Sequence, residues 1–288
     1  MVDDSSTATG VAAPAIPRVG LLSRKTIRAA IARVQQVHGL TDPDDGFGAL
    51  QKASQAHNVK LRAVAAAFLS EREPAANGRR PRPAAPALTF STHGADAQPN
   101  RKRILTDLMT GVSAAAGADF GLVQLRDPVH GGLIIENQHG FDRDFLDLFA
   151  YLDDTGTASG TTLARRSATA VADVATSPIY GATDRAAILA AGVRALLSVP
   201  LLDEHGDLQG AVAAVFAAPH EVPEAIETMI RLHADECARW LHWYNLVTMP
   251  RVVASVHAAA RAARAAQRGT GGVSPTPIAL PPRISAIQ

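Results

Sequence analysis

The chain has 288 residues, with 28 Lys and Arg against 27 Asp and Glu, so its formal net charge is only +1. Hydrophobic residues make up 47% of the sequence, which is enough apolar material for a core and excludes a globally disordered protein. The single cysteine, Cys237, excludes an internal disulfide framework. A chain of this length suits two modest domains better than one.

No membrane span is predicted, because apolar runs such as residues 186–202 are interrupted by Arg194 and Pro200. The first ten residues carry acids where a secretory signal would begin with basic residues. These two features predict a cytoplasmic protein.

The near-zero net charge conceals local imbalances. Residues 18–72, 74–103 and 247–288 each carry an excess of five positive charges, whereas residues 104–246 hold eight Arg and nineteen acids. Such an arrangement predicts either that the basic segments bind a polyanion or that they fold back on the acidic centre. The two behaviours are compatible in one protein.

Behind a disordered leader at residues 1–17, residues 18–72 predict three short helices. Apolar residues recur at helical spacing up to Gly39, a natural helix stop. Asp42 and Pro43 are typical of the N-cap and first residue of a second helix, with Phe47 on its inward stripe. Asn58 is predicted to cap the third helix, and this role is sufficient to explain its presence.

Residues 73–100 are rich in proline and contain an RRPR cluster, which is typical of a solvated linker. From residue 101 to residue 246 strands alternate with helices, and a closing helix is predicted at 220–244. This pattern predicts an α+β domain, in which one antiparallel sheet of five or six strands is flanked by helices. The basic tail, residues 247–288, contains a candidate Ala/Arg helix at 251–268 and then a disordered end.

Residues 24–69 resemble an ANTAR domain, the small three-helix RNA-binding module of bacterial antiterminators. The most specific stretch of this resemblance is NVKLRAVA at residues 58–65. Residues 101–246 resemble a GAF domain, chiefly through GTTLARRSATAVADVATSPIY at 160–180 and the run at 190–220. The resemblance implies a three-helix module followed by an antiparallel-sheet sensory domain, an order that reverses the common one.

The two resemblances imply a GAF sensor that controls an RNA-binding module, in a protein that is usually a homodimer and stabilises an antiterminator hairpin. No receiver domain is recognised in the sequence, so phosphorelay control is not indicated. Two positions depart from the ANTAR pattern, since Ile31 and Gln51 stand where the family usually has basic residues. The remaining candidate RNA-binding residues, in chain order, are Arg28, Arg33, Lys52, Asn58, Lys60 and Arg62.

The usual GAF ligand cavity lies between the sheet and the helices of residues 140–190, where Phe149, Ile179 and Tyr180 are candidate lining residues. Core packing is the default interpretation of these side chains. No cofactor is predicted, although a small-molecule GAF ligand stays open. The region 156–163 offers no thiol for a covalent bilin, and the signature of cyclic-nucleotide-binding GAF domains is not evident.

No metal site or catalytic site is predicted. His233 and Cys237 share a helical face, but His242 turns away from it, so core packing accounts better for the cysteine. The sequence has no nucleophile elbow, no phosphate-binding P-loop and no zinc-protease motif, which argues against an enzyme.

Two alternatives to RNA binding by the three-helix module stay open. In the first, the module is degenerate and the chain is a dimerisation or interaction scaffold that binds no nucleic acid. An exposed apolar patch centred on Ile31 would favour it. In the second, Arg261, Arg264 and Arg268, which share a helical face, bind a polyanion without sequence preference.

Overall fold

The computed structural model describes residues 18–70, 83–96, 98–149, 151–152 and 156–270. The predicted leader at 1–17, the RRPR cluster and the predicted disordered end beyond residue 270 lie outside the described residues. No helix of the described part is long and apolar enough to cross a membrane.

Three helices form the first module, which we call the head: α1 (Arg18–His38), α2 (Pro43–His57) and α3 (Leu61–Ser70). Gly39 follows α1 in the left-handed conformation, with φ of +65°. The Asp42 carboxylate accepts a hydrogen bond from the backbone N–H of Asp44 at 2.9 Å, as predicted for an N-cap. Gly46 brings α2 close to α1, because a Cβ there would lie 3.1 Å from Cγ2 of Ile31.

Two predictions for the head are wrong. Asn58 does not begin the third helix but ends α2 in the left-handed conformation (φ 50°, ψ 44°), which asparagine tolerates better than most residues. Phe47 does not point inward, since 37% of its surface is exposed. The buried positions on α2 are Gly46, Ala49, Leu50 and Ala53.

The second module, which we call the sheet domain, is a six-stranded antiparallel sheet in the order β3-β2-β1-β6-β5-β4. Its elements are α4 (Arg101–Ala116), β1 (Phe120–Arg126), β2 (Leu133–His139), α5 (Arg143–Phe149), β3 (Tyr151–Leu152), α6 (Ala158–Arg165), β4 (Thr169–Val171), α7 (Ala182–Ala190), β5 (Ala195–Leu202), β6 (Leu208–Phe216) and α8 (Glu224–Thr270).

Alternate residues of the central strands face two separate cores. One core lies between the sheet and helices α4 and α8, and includes Val123, Val212 and Trp240. The other lies on the opposite face beneath α5, α6 and α7, and includes Leu122 and Val215. Because successive side chains of a strand point to opposite faces, one sheet presents apolar residues to helices on both of its sides.

Helix α8 joins the two modules. The sequence predicted one helix at 220–244 and another at 251–268, whereas the structure has a single helix of 47 residues with Pro250 inside it. The first half packs on the sheet, and the second half completes the core of the head with buried Val252, Val253, Val256 and Ala260. The predicted domain boundary at residue 246 thus falls within a continuous helix.

Candidate nucleic-acid interface

The six candidate RNA-binding residues all lie on the head but in different environments. Arg28, Arg33, Lys52 and Asn58 are exposed. Within the described chain the first three make no ion pair. Arg28 and Arg33 point in directions about 140° apart on α1, because a helix turns roughly 100° per residue. These cations therefore surround α1 and α2 rather than forming one narrow stripe.

The other two basic candidates contact the sheet domain. Lys60 precedes α3 and forms an ion pair with Glu136 on β2, and its Nζ also donates to the Glu136 carbonyl oxygen at 3.1 Å. Arg62 Nη2 donates to Glu136 Oε1 at 2.7 Å. Arg101, at the start of α4, donates from Nη2 to the same Oε1 at 3.3 Å. We call Lys60, Arg62, Arg101 and Glu136 the Glu136 cluster.

Glu136 and Arg62 are largely shielded from water, since only 7% and 20% of their side chains are exposed, whereas 46% of the Lys60 side chain is exposed. Burial by itself would raise the pKa of Glu136, but Arg101, Arg62 and Lys60 more than offset it and hold the pKa below its usual value. Glu136 is therefore ionised at neutral pH. One carboxylate faces three cations, so the cluster retains excess positive charge.

A second polar contact and the shared helix reinforce the position of the head. Thr26 Oγ1 on α1 lies 3.1 Å from Nε2 of His130, in the turn between β1 and β2. On the other side of the head, Gln267 of α8 donates to an Asp45 carboxylate oxygen at 2.6 Å. The basic second half of α8 thus packs on the basic head, and the acidic sheet domain receives α1 and α3.

Two histidines of the head face α8. His38 Nε2 lies 2.9 Å from Nδ1 of His257, and His57 Nε2 lies 2.8 Å from the Ser255 hydroxyl. Burial lowers the pKa of His38, with further contributions from His257 and Arg261. Burial also lowers the pKa of His57. Protonation of either ring therefore opposes the packing of α8 on the head.

The stability of the head is expected to fall as the pH falls below about 6.5. Since the pKa of His38 is lower in the folded chain, the unfolded chain takes up the proton first. The stabilising contribution of neutral His38 is complete above pH 6.5, and it is lost as the pH falls below that value. Urea unfolding between pH 7.5 and 5.5 measures it. His38→Gln should flatten the slope, whereas His139→Gln, at an exposed site on β2, should leave it unchanged.

The sheet domain has a small cavity of about 50 Å³ at the predicted ligand position, between the sheet and α5 to α7. Phe149 and Tyr180 line it, whereas Ile179 packs against the surrounding core without lining the cavity. The rings of Phe141 and Phe145 stack with centroids 4.1 Å apart and fill much of the space. Burial raises the pKa of the Tyr180 phenol, so the hydroxyl stays protonated.

Gln124 on β1 is a residue of this cavity that the sequence analysis missed. Its side chain is 1% exposed, and its Nε2 atom has no hydrogen-bond partner among the described residues. A strand glutamine in an apolar run gives no functional signal by itself.

Replacement of Gln124 by Met is expected to stabilise the sheet domain by about 1 kcal/mol, because it removes a buried amide that costs desolvation energy. Urea unfolding of the two proteins measures this difference. Gln209→Met is the control, since that amide donates to Asp203 at 3.0 Å and its loss should destabilise the domain. A loss of stability in Gln124→Met would contradict this account.

A larger pocket, of about 410 Å³, lies between the head and the sheet domain. It is lined by α3, by the ends of β1 and β2, and by the face of α8 that carries Leu241, Asn245 and Met249. The sequence analysis did not predict it, because its walls come from segments more than a hundred residues apart. Arg62, Arg101 and Glu136 of the Glu136 cluster form part of its lining.

The histidine and cysteine residues of α8 lie in separate environments. Cys237 is fully buried in the core, and burial raises the pKa of its thiol. His242 Nδ1 lies 2.9 Å from Asp203 Oδ2. The ring of His233 lies against Phe90, with centroids 5.6 Å apart. Among the described residues no group of three such side chains is placed to hold a metal ion.

Comparison with known families assigns both modules. Residues 18–69 match the ANTAR domain model, and residues 100–241 match the GAF domain model. No curated protein matches the sequence. These matches confirm the architecture and the order of modules that the sequence resemblance implied.

Several solved structures are similar to part of this chain. They include the GAF domain/HD domain protein from Geobacter sulfurreducens (16% identity, 52% of this chain and 97% of that chain covered, TM-score 0.44). They also include the blue-light absorbing PixJ GAF domain of Thermosynechococcus elongatus (16% identity, 55% and 93% covered, TM-score 0.41). A third is the type II free methionine-R-sulfoxide reductase of Thermoplasma acidophilum (16% identity, 50% and 96% covered, TM-score 0.37).

Proposed function

Because the chain carries an ANTAR domain followed by a GAF domain, and is thus a sensor-type regulator, we propose that its head binds hairpin RNA in nascent transcripts and acts in antitermination. We further propose that the GAF domain controls this binding by holding the head. The observation that carries the proposal is the Glu136 cluster, in which two candidate RNA contacts, Lys60 and Arg62, bind a GAF-domain carboxylate.

The chemistry of the cluster supports competition between the GAF domain and RNA. A carboxylate and a phosphate present similar oxygens to Lys and Arg, and both form charge-assisted hydrogen bonds with them. RNA phosphates can therefore replace Glu136 on Lys60 and Arg62 only when the head leaves the GAF domain. With the head in place, the exposed cations Arg28, Arg33 and Lys52 still attract RNA, but with fewer phosphate contacts.

Pro250 provides the position at which the head can move. It lacks the backbone N–H that would bond the carbonyl of Leu246, so the helix is weakest there. The second half of α8 shares a core with the head, and the first half shares one with the sheet. We therefore expect the head and the second half of α8 to move together, about Pro250.

Neutralisation of head cations tests which segment binds RNA. We expect the triple variant Arg28→Gln, Arg33→Gln, Lys52→Gln to bind a hairpin leader RNA at least tenfold more weakly, with a salt slope reduced by about 2. The matched control removes the same charge from α8, at exposed Arg251, Arg261 and Arg268. Loss of affinity in the control alone would instead assign binding to the tail.

The second candidate function is an interaction scaffold that binds no nucleic acid. The departures at Ile31 and Gln51 favour it, together with the exposed apolar side chains of Val37 and Phe47. Ile31 itself is half-buried against α2 and does not form the centre of an exposed patch. Failure of the wild-type chain to bind any hairpin RNA at low salt would favour the scaffold.

We propose no catalytic step for this protein, and we expect it to form a homodimer in the cytoplasm. The dimer follows from the family resemblance alone. Sedimentation of the full chain at several concentrations would measure the oligomeric state directly.

A further inference from the structure

The pocket between the head and the GAF domain has the size of a small-molecule site. Its volume of about 410 Å³ lies in the range typical of ligand pockets, whereas the cavity inside the GAF domain measures only about 50 Å³. The head and the GAF domain both contribute walls. A ligand in this pocket would therefore contact the two modules at once.

The polar lining of the pocket has spare hydrogen-bond donors. A guanidinium group carries five N–H donors. Arg62 and Arg101 each make one hydrogen bond within the described chain, and both bonds go to the same oxygen of Glu136. Only 14% of the Arg101 side chain is exposed, so bulk water reaches few of its remaining donors. Two largely buried cations that share one carboxylate oxygen can bind a second oxyanion by donating hydrogen bonds to it.

Among the described residues, Glu136 is the one lining carboxylate that is hydrogen-bonded to Arg62 or Arg101, although Asp127 also attracts the Arg62 charge. Glu136 already binds three cations. Asp127 accepts backbone N–H groups of Val129 at 2.8 Å and His130 at 3.3 Å, and so holds the turn after β1. The lining also includes Arg126 and Asp207, so the feature that points to a ligand is the set of unused N–H donors on Arg62 and Arg101 rather than an excess of charge. An anionic group from outside the chain would accept hydrogen bonds from these donors.

Part of the remaining lining is apolar. It includes Ala63, Ala66 and Ala67 of α3, Leu241 and Met249 of α8, and Leu125 of β1. The small side chains on α3 leave the room that larger ones would fill. The site therefore suits a ligand that has an apolar body in addition to its charged group.

We propose that the interdomain pocket binds a small amphiphilic oxyanion, a carboxylate or phosphate carried on an apolar body, between Arg62 of the head and Arg101 of the GAF domain. Because the ligand contacts both modules, it binds the docked arrangement more tightly than the undocked one. Where the proposed RNA function also holds, linkage requires that ligand and RNA weaken each other's binding by the same factor.

Calorimetric titration of the full chain with octanoate, octyl phosphate and neutral octanamide tests the pocket without any RNA. We expect saturable binding of at least one anion to one site, and binding of octanamide at least tenfold weaker. Arg101→Gln should weaken anion binding about tenfold or more. Arg103→Gln is the matched control, because that side chain lies exposed on the same helix outside the pocket.

Thermal unfolding of both variants shows whether each remains folded. Ala67→Leu provides a second variant that narrows the pocket while leaving both arginines in place, and it should weaken anion binding as well. The inference is overturned if no anion saturates the wild-type chain at low millimolar concentration, if octanamide binds as tightly, or if Arg101→Gln and Arg103→Gln bind alike. A chain that binds the anion but no RNA would retain this site and lose only the proposed function.

Discussion

Replacement of Glu136 by Gln is expected to raise the affinity of the full chain for a hairpin RNA by about tenfold or more at low salt. The neutral amide cannot balance Lys60, Arg62 and Arg101, whose mutual repulsion then favours release of the head. Release makes two more cations available to phosphates. The logarithm of affinity should therefore fall more steeply with the logarithm of salt concentration, by about 1.5 in slope.

Two further variants make this result specific. Glu227→Gln removes an acid of the same domain whose ion pair with Arg231 lies within α8, and it should leave RNA affinity unchanged. Combination of Glu136→Gln with Lys60→Gln and Arg62→Gln should cancel the gain. If Glu136→Gln binds RNA with the affinity and salt slope of the wild-type chain, the cluster is a purely structural contact and does not restrain the head.

Replacement of Val256 by Asp is expected to unfold the head while leaving the GAF domain folded. Val256 is fully buried in the core that α8 shares with α1, α2 and α3. An unpaired carboxylate in that core should cost about 3 kcal/mol or more, and the head is too small to absorb such a loss. Hydrogen exchange should show lost protection in α1 to α3 and retained protection in β1, β5 and β6.

The matched control for this prediction is Ala258→Asp, which adds the same charge on the exposed side of α8. We expect its head to keep its protection. RNA binding should disappear in Val256→Asp and persist in Ala258→Asp. Equal protection of the head in the two variants would contradict the conclusion that α8 forms part of the head core.

The elements of the fold were largely predictable because local signals determine them. Asp42 and Pro43 announce the start of α2, and the left-handed Gly39 and Gly117 end α1 and α4. The alternation along β1 and β6 places Val123 and Val212 on one face of the sheet and Leu122 and Val215 on the other. Such short-range patterns persist in the folded chain because tertiary packing reinforces them.

The continuity of α8 could not be predicted in the same way. Pro250 normally ends a helix, and the sequence around it has no clear hydrophobic stripe. The helix continues because Val252, Val253 and Val256 find an apolar surface on the head. That surface consists of residues about two hundred positions earlier in the chain, so only the tertiary structure reveals it.

The site was predictable in part for a related reason. The net charges of successive segments predicted that the basic segments can fold back on the acidic centre. Lys60 and Arg62 do so, because both form ion pairs with Glu136. Glu136 was not singled out, because a lone acid on a strand resembles an ordinary exposed residue. Asn58 was assigned to the wrong helix end, since the same residue type suits an N-cap and a left-handed C-cap.

The claim that RNA and the GAF domain compete for the head is tested most directly by a distance measurement between the two modules. Spin labels at Gln51→Cys on α2 and Arg165→Cys on α6 occupy exposed sites away from the Glu136 cluster. Cys237 is fully buried and should not take up label. Our account predicts that saturating hairpin RNA replaces the single distance of the docked chain by longer ones. Bound RNA that leaves the distance unchanged would contradict it.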